Sequence, residues 1–330
     1  MRRPSFDHSS NAACVRRCRG VSLIELIIVI TISGIVATIL GVILVRPIQG
    51  YEAQVRRAQL VDAAEMAVRR LGRDIRQALP NSVRIRDALG NTNSVSCSAA
   101  GAVCTIEMLN TLDGARYREG PGNIGHDHGP TQFRLRVPGT DGDGFNIVGE
   151  FQNFRPTFPF TSGSERLAIY NQSATGATSA YADATLAAGP YVITNPNAPA
   201  NTKFTLQDDT GNDHEWRITP SGAPNFNFRW ASPNQRIFIV DTPVSYVCSA
   251  GANGNITLYR NYPITAAQQS TPASATTVAL VSTPITACNF SYSPGTNQRA
   301  GLVTLDITVA DAVSGEQVRL LYQVHVDNSP

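Results

Sequence analysis

Three hydrophobic patterns follow one another along the chain. From Val21 to Val45 nearly every position is apolar, and Glu25 is the only ionisable residue. A run with no polar face predicts a helix surrounded by apolar material on all sides. At about 1.5 Å per residue, some 25 residues reach roughly 37 Å, enough to cross a hydrocarbon core of about 30 Å. From Tyr51 onward the apolar positions thin to Leu60, Ala64, Ala67, Val68, Leu71, Ile75 and Leu79, a stripe with the helical period. Between them lie Arg56, Arg57, Asp62, Glu65, Arg69, Arg70, Arg73 and Asp74, with Glu65 and Arg69 spaced as a favourable i,i+4 pair. This stretch reads as an amphipathic helix that packs its stripe on a sheet. Pro80 predicts its end, because proline cannot continue the hydrogen-bond ladder. Pro47, with Gly41 and Gly50 nearby, predicts a kink or a loosened turn.

Past Pro80 the period changes to two. Val83–Arg86 and Phe133–Val137 alternate, and the C-terminal part alternates best: Val303, Leu305, Ile307 and Val309, then Val318, Leu320, Tyr322, Val324 and Val326. The turn-rich Asp311–Glu316 between these two runs predicts an antiparallel hairpin with one buried face. Arg166–Tyr170, Arg236–Val240, Val244–Cys248 and Ile256–Arg260 are further strand candidates. The Gly-, Pro-, Ser-, Thr- and Asn-rich stretches 171–202 and 264–284 read as surface loops. The expected fold class is α+β, a long N-terminal helix packed on an antiparallel sheet. The expected organisation is a leader at 1–20, a membrane-spanning helix at 21–45, its amphipathic extension at 46–80 and a β-rich domain at 81–330.

Charge sharpens this picture. The formal net charge is +2, but residues 1–20 carry Arg2, Arg3, Arg16, Arg17 and Arg19 against Asp7 alone. The heavier positive flank precedes the apolar run, so the N-terminus is expected in the cytoplasm and the bulk of the chain outside. Without the leader the remainder is slightly acidic, with no global pull toward nucleic acid. Of six cysteines, Cys97, Cys104, Cys248 and Cys288 then lie in an oxidising compartment, where disulfides are the default. Three pairings are open, of which the local Cys97–Cys104 and Cys248–Cys288 are the simplest. Zinc is the rival reading, but no Cys-x2-Cys knuckle occurs.

Glu25 is the position that needs an explanation. A carboxylate near a bilayer core costs roughly 2.5–3.5 kcal/mol on insertion scales. The apolar run is too long for a secretory signal, and no small-x-small cleavage site follows it. A plain signal anchor leaves Glu25 without a role. A leader cut on the cytoplasmic side, after Gly20, gives it one: the new amino terminus of a neighbouring chain can pair with the carboxylate.

Gly20-Val21-Ser22-Leu23-Ile24-Glu25-Leu26 resembles the type IV prepilin cleavage and methylation motif, usually Gly-Phe-Thr-Leu-Ile-Glu-Leu, with Val21 where Phe is usual. The resemblance implies that prepilin peptidase cuts after Gly20 and methylates Val21, and that Glu25 is the pilin glutamate of subunit assembly. Further segments are similar to minor pilins of the mannose-sensitive haemagglutinin (MSHA) type: Arg56–Ala58 through Arg70–Arg76, Ala78–Arg84, Gly114–Arg118, Val240–Cys248 and Gln323–Asn328. They imply a minor pilin that initiates or caps a pilus, with other minor pilins, a major pilin and the inner-membrane assembly machinery as partners. A type II secretion pseudopilin and a membrane-anchored, adhesin-type binding domain are the alternatives.

Other candidate chemistry is thin. His126-Asp127-His128 lies in a loop setting without a third ligand. Asp141 and Asp143, in Asp141-Gly142-Asp143-Gly144, are weak calcium candidates that lack the remaining ligands of a calcium loop, and Gln207–Asp213 is comparable. Arg84/Arg86, Arg116/Arg118 and Arg134/Arg136 would each share a strand face, and could form a basic stripe if their strands adjoin. No nucleophile elbow, phosphate loop or His-Glu-x-x-His motif occurs, so neither an enzyme nor a cofactor is expected.

Overall fold

The computed structural model describes residues 20–87, 89–91, 96–99, 103–118, 134–137, 142–186, 189–195, 203–209, 215–222, 225–295, 300–312 and 314–328. The chain divides into two compact units, Met1–Val55 and Arg56–Pro330. The first helix, α1, spans Leu23–Arg76. Strands follow at Arg84–Arg86 (β1), Ser96–Ala99 (β2), Val103–Arg116 (β3), Phe145–Ile147 (β4), Phe160–Thr161 (β5) and Arg166–Ala168 (β6). A four-residue helix, α2, is formed by Ala180–Asp183. Then come Lys203–Asp208 (β7), Trp216–Ser221 (β8), Arg236–Ser249 (β9), Asn255–Arg260 (β10), Thr277–Ser282 (β11), Ile285–Ser293 (β12), Gly301–Ala310 (β13) and Gln317–Val326 (β14). The fold is α+β.

In the first unit α1 is apolar all round, and it is long and apolar enough to cross a membrane. The helix is continuous through Pro47, the position where a kink or a loosened turn was expected. Proline removes one ladder bond there, and the Ile43 carbonyl loses its donor.

In the second unit the expected stripe is in place: Leu60, Ala64, Ala67, Val68, Leu71 and Ile75 are all buried. The facing sheet comes close at Gly72, where a Cβ would meet the Tyr322 ring at 2.8 Å and Val324 at 3.3 Å. Arg73 and Arg76 in the last turn suit the negative end of the helix dipole. The helix ends at Arg76, short of Pro80, because the chain is captured by β3. Leu79 N donates to Leu109 O at 2.8 Å, and Thr111 N donates to Gln77 O at 3.0 Å.

Three antiparallel sheets form among the described residues. Sheet I runs β1-β3-β9-β10-β11, with β6 also paired to β9. Sheet II runs β14-β13-β12-β2, and sheet III runs β4-β8-β7-β5. The expected hairpin is β13–β14, with Val303 opposite Val324 and Val309 opposite Val318. Its connector is closed by Asp311 N donating to Glu316 O and by Gly315 at φ +70°, a conformation that suits glycine. The α1 stripe and the inner faces of sheets I and II share one core, which includes Ile106, Tyr246, Leu258, Phe290 and Leu305. A second core joins sheet III to β9 through aromatic side chains. Phe145 meets Phe226 edge-on at 5.7 Å, and Phe158 meets Trp216 at 4.8 Å.

Cys97 is bonded to Cys104 and Cys248 to Cys288. Cys104 and Cys248 are cross-strand neighbours in sheet I, while Cys97 and Cys288 lie on adjoining strands of sheet II. Both disulfides therefore join the same two sheets, side by side.

Several sequence expectations change. Arg236–Val240 and Val244–Cys248 are one strand, β9, with Pro243 at an irregular pairing opposite Leu109. Residues 134–137 form no strand, and Phe133 lies outside the described residues. The stretch 264–284, read as loop, contains strand β11. Ala180, Tyr181, Tyr191, Val192 and Ile193, in the other expected loop, are buried in the interior.

Candidate functional site

The sequence singles out Gly20, Val21 and Glu25. Gly20 and Val21 precede α1, and Glu25 stands in its first turn, where the Leu26 amide donates to Ser22 O at 3.1 Å. A carboxylate at this end is favoured by the unpaired amides and the positive pole of the helix. No described residue supplies the Glu25 side chain with a hydrogen bond or ion pair. Every large apolar side chain from Val21 to Tyr51 is exposed. An apolar surface of that extent calls for lipid or other helices to cover it. The two threonine hydroxyls inside the run are satisfied locally. Thr31 donates to Ile27 O and Ile28 O at 3.0 and 2.9 Å, and Thr38 donates to Gly34 O and Ile35 O at 3.2 and 2.7 Å. Glu25 is the one ionisable group in the apolar stretch.

The remaining candidates do not converge. Asp143 pairs with Arg136 at 3.6 Å, while Asp141 lies outside the described residues, as do His126-Asp127-His128, Cys14 and Cys18. Asp209 accepts from Asn146 Nδ2 at 2.7 Å, and residues 210–213 of that motif also lie outside. Among the described residues no group of three His, Cys, Asp or Glu side chains is arranged to hold a metal.

The arginine pairs do not make a stripe. Arg84 is buried, its Nε donating to Glu107 Oε2 at 2.9 Å and its other nitrogens to the Ala266 and Thr265 carbonyls at 2.7 and 2.9 Å. Its guanidinium also lies over the Tyr181 ring, 3.5 Å from the centroid. Arg86 donates to Gln268 O, and Arg118 pairs with Glu215. Arg134 and Arg136 are on no strand. The buried Arg84–Glu107 pair escaped the sequence reading, because Glu107 lies 23 residues away and only strand register brings it opposite. Around it, Tyr262 donates to Glu107 Oε1 at 3.2 Å, and Gln268 Nε2 donates to the Arg84 and Thr105 carbonyls. Thr105 Oγ1 donates to Ser270 O at 2.7 Å. The connection between β10 and β11 is thereby strapped over β1 and β3.

A family model described as the prokaryotic N-terminal methylation motif matches residues 15–41. No curated protein and no solved structure matches the chain. The motif and the apolar helix together support a type IV pilin-like or pseudopilin-like subunit, and fit a membrane anchor. Such a motif implies processing by prepilin peptidase and assembly with other pilins.

Proposed function

We propose that this chain is a minor pilin of a type IV pilus of the MSHA kind, resembling the minor pilin MshO, and that it helps to initiate or cap the fibre. Prepilin peptidase cuts after Gly20 and methylates Val21. Before assembly the helix lies in the inner membrane, with residues 1–20 cytoplasmic and the β-rich domain periplasmic. On assembly the apolar helix leaves the bilayer for a bundle of sister helices, and Glu25 pairs with the amino terminus of an adjacent subunit. Each charge then answers the other's desolvation. The observation that carries this reading is the lone carboxylate in the first turn of a helix exposed and apolar on every side.

The test is Glu25→Val in the full-length chain. The variant stays in the membrane fraction and is processed, yet is missing from sheared surface fibres by immunoblot. Fibres that contain it at the wild-type level would overturn the pairing. Mass spectrometry of the mature protein gives a methylated Val21 terminus, and an intact Met1 start in cells with active peptidase would remove the pilin reading itself.

A further inference from the structure

The second unit holds a cavity of about 360 Å³. Sites for small molecules run to roughly 300–1,000 Å³, so it is large enough for one. Its walls come from three stretches far apart in sequence: Asn81 with Val83–Ile85, then Gln172–Thr175, then Tyr292 with Pro294.

Side-chain hydrogen bonds hold these walls together. Buried Asn171 ties the second stretch to the first, its Nδ2 donating to Pro80 O at 2.7 Å while its Oδ1 accepts from Ala180 N at 2.9 Å. Asn81 Nδ2 donates back to Asn171 O at 3.0 Å. Asn328 ties the first stretch to the third. Its Oδ1 accepts from Asn81 N at 3.1 Å, and its Nδ2 donates to the Tyr292 hydroxyl at 3.0 Å and to Pro294 O at 2.6 Å. A site built beforehand loses little to ordering when a ligand arrives.

The polar groups left over carry no charge. The Tyr292 oxygen accepts from Asn328, so its own O–H remains to donate. Among the described residues, nothing pairs with the Gln172 side-chain amide, the Thr175 hydroxyl or Asn81 Oδ1. Arg84 is the one charged residue of the lining, and its three guanidinium nitrogens already donate to Glu107, Ala266 and Thr265. A phosphate or carboxylate would therefore lose its hydration and meet no free cation. A lipid chain would leave the amide and hydroxyl groups facing hydrocarbon. A sugar ring suits both parts of the lining. Its hydroxyls exchange hydrogen bonds with the amide and hydroxyl side chains, and its C–H face lies against Val83, Pro294 and the Tyr292 ring.

We propose that this cavity binds a neutral pyranose sugar, as a free monosaccharide or as the end residue of a glycan. The binding needs no filament, so it stands apart from the pilus reading.

Equilibrium dialysis provides the test, with full-length protein in a detergent that has no sugar headgroup. The probes are radiolabelled glucose, galactose, mannose and N-acetylglucosamine. At least one binds with a Kd of about 1 mM or lower. Gln172→Ala and Tyr292→Phe each weaken it at least fivefold, and Ala174→Trp, which fills the cavity, abolishes it, while the far-ultraviolet circular dichroism spectrum is kept. Cyclohexanol, a ring of the same size with a single hydroxyl, does not compete. A methyl glycoside that binds as well as its free sugar assigns the site to a glycan end, and one that fails assigns it to the free sugar. Binding of none of the probes, binding that survives Ala174→Trp, unchanged affinity in both Gln172→Ala and Tyr292→Phe, or equal competition by cyclohexanol would each overturn the proposal.

Discussion

Removing the Glu107 carboxylate would leave the Arg84 guanidinium without a counter-charge in a place that water does not reach. Both side chains are almost fully buried. Glu107→Ala is therefore expected to cost about 3–5 kcal/mol, the usual penalty for orphaning one partner of a buried pair. The denaturation midpoint in urea measures it. Replacing Arg84 and Glu107 together by Met and Leu should cost clearly less, because no charge is then stranded. The same neighbourhood holds phenols back from ionising. Burial, and then the charge of Glu107, raise Tyr181 and Tyr262 well above the ordinary range, and burial pushes Tyr191 up to about 12. The folded form thus resists deprotonation more than the unfolded chain does. The stabilisation is full below pH 10 and is lost as the pH rises toward 12. An absorbance titration near 295 nm should show the exposed tyrosines ionising first and the buried ones only as the fold is lost.

At the scale of elements, α1 and sheet II meet where one helix position has no side chain. Gly72→Leu drives a side chain into Tyr322 and Val324, and is expected to destabilise the fold by about 1–3 kcal/mol despite the better helix propensity of leucine. Thermal melting of the variant reads this directly. The Leu60–Ile75 stripe and the β13–β14 alternation were legible in the chain because each depends on a local period that burial enforces. The end of α1 was not. Pro80 would have stopped the helix, but the pairing of Gln77 and Leu79 with β3 stops it earlier, and β3 lies some 30 residues along. Strand β11 hides among Ser, Thr and Ala residues, a composition that also suits loops, and its partner strand decides the outcome. Pro243 made one long strand look like two, since a proline is tolerated there only beside an irregular pairing. Of the candidate site, the motif around Gly20–Leu26 was readable from order alone, whereas the Arg84–Glu107 cluster required the register of β1 on β3.

For the whole molecule, the two disulfides matter more as a pair than singly. Replacing both Cys248 and Cys288 by Ser frees a 40-residue separation, worth about 4 kcal/mol in the chain-entropy model. Removing Cys97–Cys104, with a separation of 7, should cost nearer 2 kcal/mol. Denaturant curves of the two double variants give the order. Because the bridges sit next to each other and cross between the same two sheets, they also fix how the domain can respond to tension. A domain pulled by its ends cannot slide one sheet off the other until a covalent rivet opens. The 40 residues between Cys248 and Cys288 stay out of the stretched thread, about 140 Å of slack at roughly 3.5 Å per residue. In an optical trap a reductant should therefore lengthen the rip, and without it the head should behave as a short, stiff link under load.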